Sequence, residues 1–535
     1  MLRQNYATWR CGDHELSLAK PRIMGVLNVT PDSFSDGGAH AEADAAVEWG
    51  MRLLDDGADI IDVGGESTRP GFTAVDPGEE LRRVEPVIRE LVAAGALVSI
   101  DTRHPEVARA AVGLGAAIVN DVTGFTNPEM VKVAAESDCG CVVMHAGEVS
   151  EHTPHKSVTL DSSAAARAAA KTGVAAKAGM TGSAATQPAG VPGDEGQGSA
   201  SPASDADVAA ARRLDEVMRR SAKGVTSPTV RLAGGSRHFT LPEEAPIMRR
   251  VMGFLGDQAR LLMRAGVARE RICIDPGPGF GKLADEDVVI QRATTKMASL
   301  GYPVMCAVSR KRFVGAVSGV SQASERDAAT AGVCIAALEK GARILRVHNV
   351  AAVSQTLNSY WSVAHPDPRR AYVALGSNVG DRLGYLARAC ALINAIPLTC
   401  VTAVSHAYET DPAYGIALPV ANAVAELRTE LAPIVLLGHL LDVERQLGRE
   451  RPEGQDGHGP RTIDCDLVWM EGETHAGRRL TLPHPGLGER DFVLLPMEDL
   501  MHDPARFFKY AGVRVLPREE RVGLVRSDLG EISWE

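Results

Sequence analysis

The amino-acid sequence predicts an α/β protein, with an N-terminal (β/α)8 TIM barrel followed by a smaller α+β domain of the ferredoxin-like type. Two patterns predict this. Between residues 22 and 348, short apolar runs alternate with longer stretches of helical periodicity, as is typical of parallel β/α folds. From residue 371 onward the patterns follow a β-α-β-β-α-β order, which is typical of a ferredoxin-like sheet.

Short apolar runs bounded by polar or turn-forming residues are the predicted barrel strands. They are residues 23–28, 59–65, 97–102, 117–121, 141–145, 272–277, 304–310 and 344–348. The segments between them, such as 44–58 and 106–116, have the apolar spacing of helices that pack on the outside of a barrel. The alternation alone leaves a doubly wound open sheet as the alternative.

One gap interrupts the barrel pattern, between the fifth and sixth strands. More than half of residues 161–210 are Ala, Gly or Ser, and none is aromatic. Such a segment buries too little apolar surface to offset its ordering entropy. We therefore interpret about 157–236 as a low-complexity surface insertion, after which a helical pattern resumes over 239–266.

A second domain follows a linker that we expect over 361–370, where prolines lie among charged residues. This divides the chain into a barrel domain (1–360) and a C-terminal domain (371–535). The predicted strands of the second domain are residues 371–377, 401–410, 420–429 and 462–470, and its predicted helices are 382–395 and 433–447.

Composition excludes several classes of protein. With 57 Lys and Arg against 68 Asp and Glu, the net charge of −11 lacks the broad basic surface of a nucleic-acid binder. No apolar run reaches the roughly 20 residues of a membrane span, and the N-terminus lacks a signal-peptide core. The 9 cysteines form no C-x-x-C pair, which favours core thiols over disulfides or a zinc site. We expect a cytoplasmic protein that does not bind nucleic acid or membrane.

Polar side chains end nearly every predicted barrel strand. Because the carboxyl ends of barrel strands form the catalytic face, this repetition predicts an active site there. The residues are Asn28, Glu66, Asp101, Asn120, Asp121, His145, Asp275, Ser309, Lys311, Arg346 and His348.

Eight ordered motifs carry a resemblance to the dihydropteroate synthase family over about residues 20–355. They are VLNVTPDSFSDGG (26–38), DVGGESTRPG (62–71), SIDTRHPEV (99–107), VNDVTG (119–124), MH (144–145), IDPGPGFGK (274–282), SRKRFVG (309–315) and RVH (346–348). The resemblance implies a barrel enzyme that joins 6-hydroxymethyl-7,8-dihydropterin diphosphate to p-aminobenzoate. It also implies that the bond to the departing diphosphate breaks before p-aminobenzoate attacks, so that no strong general base is needed.

The resemblance assigns roles residue by residue. The pterin would contact Asp101, Asn120, Met144, Asp275 and Lys311. The p-aminobenzoate site, where sulfonamides would also bind, would include Phe34, Thr68, Pro70, Phe280 and Ser309. A diphosphate carries several negative charges, so Arg69, Arg346 and His348 would hold it, and Asn28 would reach a Mg²⁺ on the same phosphates. The catalytic group is then Arg69, Lys311, Arg346 and His348, and a homodimer through the barrel is expected.

The C-terminal domain carries three further motifs, ALGSNVGDR (374–382), LGRERPEGQDGHGPRTIDCDLVW (447–469) and LPHPGLGERDFVL (482–494). They resemble 6-hydroxymethyl-7,8-dihydropterin pyrophosphokinase over about residues 370–500. Independently of the resemblance, Asp464 and Asp466 are two apart on a predicted strand, so that both carboxylates face the same side. Paired carboxylates near arginines are what a Mg-ATP site requires.

This second resemblance implies transfer of diphosphate from ATP, the co-substrate, to the hydroxymethyl group of the pterin. The metal would be held by Asp464 and Asp466, and the pterin would contact Thr410, Asn422 and Phe492. The ATP-binding residues would be Glu444, Arg449, Arg451, Arg461, His484 and Arg490, with Arg449 and Arg461 catalytic. The sequence departs from the family pattern at Val420, where an aromatic residue is expected, and at His458, where a tryptophan is expected.

The two families catalyse consecutive steps, so the sequence favours a bifunctional enzyme of folate biosynthesis that uses Mg²⁺ in both halves. One alternative is a pterin-dependent methyltransferase, which shares the barrel and the pterin pocket. STRPG (67–71) and SRKRFVG (309–315) count against it. The other alternative is a scaffold with one degenerate half, motivated by Val420, His458 and the insertion.

Overall fold

The computed structural model describes residues 8–30, 38–66, 75–147, 243–411, 413, 418–449 and 461–534. The first element is an antiparallel hairpin of β1 (Thr8–Cys11) and β2 (His14–Ser17), which the sequence analysis did not predict. Trp9 is fully buried and its Nε1 donates a hydrogen bond to the Arg271 carbonyl at 3.0 Å. With Leu16 and Leu18 it packs against the lower residues of the barrel interior. The hairpin therefore fills the amino end of the barrel.

Eight parallel strands close the barrel in the order β10-β3-β4-β5-β6-β7-β8-β9. They are β3 (Arg22–Asn28), β4 (Ile60–Gly64), β5 (Val98–Asp101), β6 (Ile118–Asp121), β7 (Gly140–Met144), β8 (Ile272–Asp275), β9 (Val304–Cys306) and β10 (Ala342–Val347). The predicted barrel is confirmed, and the open-sheet alternative is wrong, because β10 pairs with both β9 and β3.

Helices pack on the outside of the barrel and bury one face each, as in α5, where Val251, Leu255 and Leu262 are buried. They are α1 (Gly38–Asp55), α2 (Pro77–Ala93), α3 (Pro105–Gly113), α4 (Pro128–Glu136), α5 (Pro246–Arg264), α6 (Ala284–Arg292), α7 (Thr294–Ala298), α8 (Arg312–Ser318), α9 (Asp327–Glu339) and α10 (Val350–Ala364). The helix predicted over 239–266 is α5. The insertion predicted at 157–236 lies outside the described residues.

The interior of the barrel consists of an apolar lower layer and a polar upper layer. Side chains on a strand alternate between its two faces, so an inward residue is followed by another two positions later. On several strands the lower residue belongs to one buried apolar cluster, and the upper one is charged or polar. Four strands show this step, from Ile60 to Asp62, Ile118 to Asn120, Cys273 to Asp275 and Ile344 to Arg346.

The C-terminal domain contains a six-stranded antiparallel sheet in the order β15-β11-β14-β13-β18, with β12 also paired to β14. Its strands are β11 (Arg369–Ser377), β12 (Thr399–Val404), β13 (Ala407–Thr410), β14 (Val420–Thr429), β15 (Asp464–Met470) and the edge strand β18 (Val525–Gly530), and a small ribbon adds β16 (His475–Ala476) and β17 (Thr481–Leu482). Its helices are α11 (Arg382–Asn394), α12 (Pro433–Gln446), α13 (Asp491–Leu494) and α14 (Pro504–Tyr510).

The predicted ferredoxin-like order is confirmed, with two differences in detail. The single strand predicted over 401–410 is broken at Ser405, whose Oγ accepts a hydrogen bond from the Val424 amide and so interrupts the ladder. The linker predicted at 361–370 is narrower, because α10 continues to Ala364 and β11 begins at Arg369. The rings of Trp361 and His365 stack at the end of this helix, with their centroids 3.9 Å apart. Every helix in the described part of the chain is too short or too polar to cross a bilayer.

The two domains meet at the amino end of β3, through a buried cluster of charges. Arg22 Nη1 donates to Asp59 Oδ1 at 3.0 Å and to Glu473 Oε2 at 2.8 Å, and its Nη2 donates to the Gly472 carbonyl at 2.7 Å. Arg369 also pairs with Glu473. Burial alone would raise the pKa of Glu473, but the charges of Arg22 and Arg369 outweigh it and lower this pKa to about 2.

We expect Glu473→Gln to weaken the contact between the domains, because it removes the carboxylate that Arg22 and Arg369 share and leaves both guanidinium groups beside a neutral amide. Breaking one partner of a buried pair costs about 3–5 kcal/mol. In the native protein the contribution of Glu473 is complete above its unfolded pKa of about 4.3 and is lost as the pH falls toward the folded value. Denaturant unfolding at pH 7 and at acid pH measures both effects. Glu48→Gln is the matched control, because Glu48 pairs with Arg478 and the two side chains are 63% and 51% exposed. We expect this variant to change the free energy of unfolding by under about 1 kcal/mol.

Candidate active sites

The upper layer of the barrel is organised around Arg346. Its Nε donates to Asp62 Oδ2 and its Nη2 donates to Asp101 Oδ2, both at 2.6 Å. Asn120 Nδ2 donates to the same Asp62 oxygen at 3.1 Å. Asp101 and Asn120 are direct register partners on β5 and β6, which places them side by side in this layer. The closed barrel thus gathers side chains that are far apart in the sequence.

Burial sets the protonation of this cluster. It raises the pKa of Asp101 to about 7, while the charge of Arg346 opposes the shift and the charge of Asp62 adds to it. Burial disfavours the charged form of Arg346, but the carboxylates of Asp62 and Asp101 outweigh it and raise its pKa above the ordinary value. At neutral pH the arginine therefore stays charged, while the proton affinity of Asp101 is well above that of an ordinary carboxyl group.

A second group lies beside Arg346, at the ends of β7 and β8. Met144 and Asp275 are register partners, and Met144 packs with Val122 and Phe280 in a small apolar cluster. Lys311 Nζ donates to the Pro278 carbonyl and lies 4.8 Å from the centroid of the Phe280 ring. This arrangement places a carboxylate, an ammonium and an aromatic face around one space.

The charges of Asp275 and Lys311 depend on each other. Burial raises the pKa of Asp275, and the charge of Lys311 opposes that shift. Burial lowers the pKa of Lys311 to about 8, and the charge of Asp275 opposes that shift. A carboxyl group and an ammonium group side by side can read the donor and acceptor edge of a flat heterocycle.

Ser309 and His348 lie together beyond this pair. The Ser309 Oγ lies 3.0 Å from His348 Nδ1 and accepts a hydrogen bond from the His348 amide at 3.1 Å. Asn28 ends β3 and pairs in register with Gly64, on the same face of the barrel. Phe34, Thr68, Arg69 and Pro70 lie outside the described residues.

Asp62 is the upper-layer residue that the sequence analysis missed. It is fully buried, its Oδ2 contacts both Arg346 and Asn120, and its Oδ1 has no hydrogen-bond partner within the described residues. The available signal was a carboxylate inside an otherwise apolar run, two positions after an inward isoleucine.

In the C-terminal domain, the start of β15 carries the second group of charges. Asp464 accepts hydrogen bonds from both Arg449 and Arg461. Glu444 is 2% exposed and its Oε1 accepts from Arg449 at 2.7 Å and from the Cys465 amide at 2.9 Å. Asn378 Oδ1 accepts from the Arg461 amide at 2.7 Å, which ties the strand to the end of β11. These contacts therefore hold both arginines beside Asp464, at the start of β15.

Asp466 lies on the same face of β15 as Asp464, and its Oδ2 is 3.6 Å from Arg490 Nη1. Burial and the charge of Asp464 raise the pKa of Asp466 to about 7. The Arg490 guanidinium lies 5.5 Å from the Phe492 ring centroid. Burial, with the charge of Arg490, lowers the pKa of His484 to about 4, so this imidazole is neutral at pH 7.

Two of the three residues predicted to contact the pterin of the kinase, Thr410 and Asn422, are in direct contact. Asn422 Nδ2 donates to Thr410 Oγ1 at 2.7 Å, and both side chains are buried. Val420, the departure from the family pattern, is register partner of Thr410 and is buried. Arg451 and His458 lie outside the described residues.

The barrel and its polar layer place the chain in the class of pterin-binding enzymes. The family model described as "Pterin binding enzyme" matches residues 24–226 and 207–348, and the model of the "7,8-dihydro-6-hydroxymethylpterin-pyrophosphokinase" matches residues 372–502. Dihydropteroate synthase of Neisseria meningitidis serogroup C is 30% identical over 357 residues, which are 66% of this chain and 96% of the relative. The synthase of Streptococcus pyogenes serotype M6 is 33% identical over 62% of this chain and 91% of the relative.

Among solved structures, Xanthomonas albilineans dihydropteroate synthase with 4-aminobenzoic acid is 31% identical, with a TM-score of 0.48, over 67% of this chain and 98% of that chain. The same enzyme in complex with 7,8-dihydropteroate is 29% identical, with a TM-score of 0.46, over 67% of this chain and 99% of that chain.

The chain belongs to the dihydropteroate synthase family and carries a hydroxymethyl-dihydropterin pyrophosphokinase domain behind the barrel. It is a bifunctional enzyme of folate biosynthesis, in which the C-terminal half makes the pterin diphosphate and the N-terminal half condenses it with p-aminobenzoate. The relatives are synthases, so the methyltransferase alternative is not favoured, and the presence of both domains does not favour a scaffold.

Proposed function

We propose that the upper layer of the barrel binds the pterin diphosphate, with Asp275, Asn120 and Lys311 on the heterocycle. The observation that carries this proposal is the placement of Asp275 and Lys311 beside the arginine cluster. Asp101 and Met144 complete the pterin pocket. Phe280 and Ser309 border the p-aminobenzoate, together with Phe34, Thr68 and Pro70.

In this mechanism the leaving group takes the bonding electrons as the bond between the pterin methylene and the diphosphate oxygen breaks. Arg346, His348 and Arg69 stabilise the departing charge, since cationic donors in a dry site act strongly on developing negative charge. Arg346 remains charged at neutral pH. A proton on Asp101 would weaken one of the two carboxylate contacts of Arg346, and the guanidinium would then be free to bind the departing phosphate. The aniline nitrogen of p-aminobenzoate then attacks the methylene carbon and loses a proton.

For the kinase half, we propose that Asp464 and Asp466 hold Mg²⁺ together with the phosphates of ATP. The donor set fits this ion, because Mg²⁺ prefers hard oxygen ligands and is bound through one or two carboxylates plus substrate phosphates. When bound, Mg²⁺ would neutralise part of the triphosphate charge.

The side chains of the kinase half position and neutralise the triphosphate. Arg449 and Arg461, which share Asp464 in this structure, would turn toward the phosphates, and Arg451 and Arg490 would add charge. Glu444 fixes Arg449, and neutral His484 is available as a hydrogen-bond donor. Thr410, Asn422 and Phe492 would orient the pterin so that its hydroxymethyl oxygen attacks the β-phosphorus and AMP leaves.

The proposal also covers the domain boundaries, a metal contact on the barrel, the oligomeric state, inhibition and location. The barrel domain, with the insertion at 157–236, ends with α10 at Ala364, and the kinase domain begins with β11 at Arg369. On the barrel, Asn28 would reach a Mg²⁺ on the diphosphate, since it lies on the catalytic face. A homodimer through the barrel, inhibition by sulfonamides and a cytoplasmic location complete the proposal.

The test is one incubation of the full chain with ATP, Mg²⁺, 6-hydroxymethyl-7,8-dihydropterin and p-aminobenzoate. We expect AMP and dihydropteroate to form, and EDTA to stop AMP formation until Mg²⁺ is restored. Dihydropteroate formation from supplied pterin diphosphate, without any AMP in the full reaction, would contradict the kinase assignment. AMP without dihydropteroate would contradict the synthase assignment.

A further inference from the structure

We propose that Lys282 and Asp287 are positioning residues for the condensation reaction. They are two buried titratable side chains that hydrogen-bond to the turn 277–282 from its carbonyl side and its amide side, and through this turn they set the places of Lys311 and Phe280. This inference rests on the roles proposed above for Lys311 and Phe280.

Lys282 acts on the carbonyl side of the turn. Its side chain is 1% exposed, and its Nζ donates to the carbonyls of Gly277 at 2.7 Å, Phe280 at 2.9 Å and His145 at 2.9 Å. The first two acceptors lie within the turn, and the third lies just after β7. One ammonium therefore binds the turn to itself and to the neighbouring strand end.

Carboxylates act on the amide side of the same turn. Asp287 is 2% exposed and its Oδ1 accepts from the Gly279 amide at 2.8 Å. Asp275 Oδ1 accepts from the Gly277 amide at 2.7 Å. Gly277 has a positive φ of 60°, and a Cβ there would lie 2.2 Å from the His145 carbonyl oxygen. The backbone path is therefore specified closely at each step.

The outer side of this turn forms part of the proposed substrate site. The Pro278 carbonyl accepts from Lys311 Nζ, and the Phe280 ring packs under the same ammonium at 4.8 Å. A shift of the turn would therefore move an ammonium assigned to the pterin and a ring assigned to p-aminobenzoate. A misplacement of about 1 Å in such groups lowers a rate by about 10²-fold.

Stability alone does not explain two buried titratable side chains at this place. Burial lowers the pKa of Lys282 and raises the pKa of Asp287, and the charge of each partner opposes the shift of the other. A buried pair of this kind often contributes no more stability than apolar residues of equal volume. What an apolar side chain lacks is the ability to bind three carbonyl oxygens at once, and so to select one turn geometry.

The experiment compares Lys282→Met and Asp287→Asn in the full chain, with wild type and the surface variant Lys296→Met measured alongside. Lys296 is 39% exposed and pairs with Glu243 and Glu244. The assay supplies pterin diphosphate directly and determines kcat and KM for p-aminobenzoate, while AMP formation by the kinase half reports the integrity of the rest of the chain. We expect both buried variants to raise KM for p-aminobenzoate about 10-fold and to lower kcat/KM by about 10²-fold, with AMP formation and the Lys296→Met variant unchanged.

A purely structural role would lower the amount of active enzyme, and hence kcat, while KM stayed at the wild-type value. That result would overturn the proposal. If Lys282→Met shows no cooperative unfolding of the barrel, the isosteric Asp287→Asn variant decides the question by the same split of KM against kcat. Wild type that makes no dihydropteroate would instead reject the synthase function on which the inference rests.

Discussion

The Asp464→Ala variant is expected to lose AMP formation by at least about 10³-fold, which corresponds to about 4 kcal/mol of transition-state stabilisation. The substitution removes one of two proposed metal ligands, and it also frees Arg449 and Arg461 from the carboxylate they share. Dihydropteroate formation from supplied pterin diphosphate should stay at the wild-type rate, because the barrel carries its own site. Initial rates of both half-reactions on the same preparation measure the effect.

The control for this variant is Asp442→Ala, on α12 of the same domain. Asp442 is 46% exposed and pairs with Arg445, so its removal should leave both activities unchanged. Retention of AMP formation by Asp464→Ala would remove this residue from the proposed metal site. Loss of both activities would show that the two sites are not independent.

The Arg346→Met variant is expected to lower condensation by about 10²- to 10³-fold, through lost stabilisation of the departing diphosphate. AMP formation should not change. Since the arginine is bound by two carboxylates, the variant also leaves Asp62 and Asp101 without their cationic partner. Thermal unfolding is therefore measured together with kcat.

A double variant separates the two effects of losing Arg346. Asp62→Asn combined with Arg346→Met removes the buried negative charge that the single variant leaves uncompensated. We expect the double variant to recover part of the lost stability and none of the lost condensation. Recovery of condensation along with stability would mean that Arg346 supports the fold and takes no part in the chemistry.

Much of the fold was predictable because each barrel strand is a short apolar run with a polar end. The exceptions have local causes. The run 304–310 contains strand only to Cys306, because the chain then turns and the Lys311 amide donates to the Val308 carbonyl. The N-terminal hairpin has strands of four residues, too short for a periodic signal, and Trp9 finds its partner at Arg271, 262 residues away.

For the candidate sites, the sequence predicted which residues gather at the strand ends but not which atoms meet. Asp101, Asn120 and Asp275 were expected on one face, because each follows or ends an apolar run and the carboxyl ends of parallel strands lie on one side of the sheet. The pairing of Arg346 with Asp62 was not expected, because it depends on the tilt and register of β10 and β4. Lys282 lies within a quoted motif, but its three carbonyl acceptors depend on the path of the turn in space.

The contact at the amino end of the barrel determines how the intermediate can travel. Asn28 lies at the opposite end of β3 from Arg22, and Asp464 lies at the opposite end of β15 from the turn that carries Glu473. Trp9 and its neighbours fill the barrel below the polar layer, so the interior is not a conduit between the two sites. Pterin diphosphate made by the kinase half therefore cannot pass through the barrel, and any path to the synthase site within one chain would run around its outside.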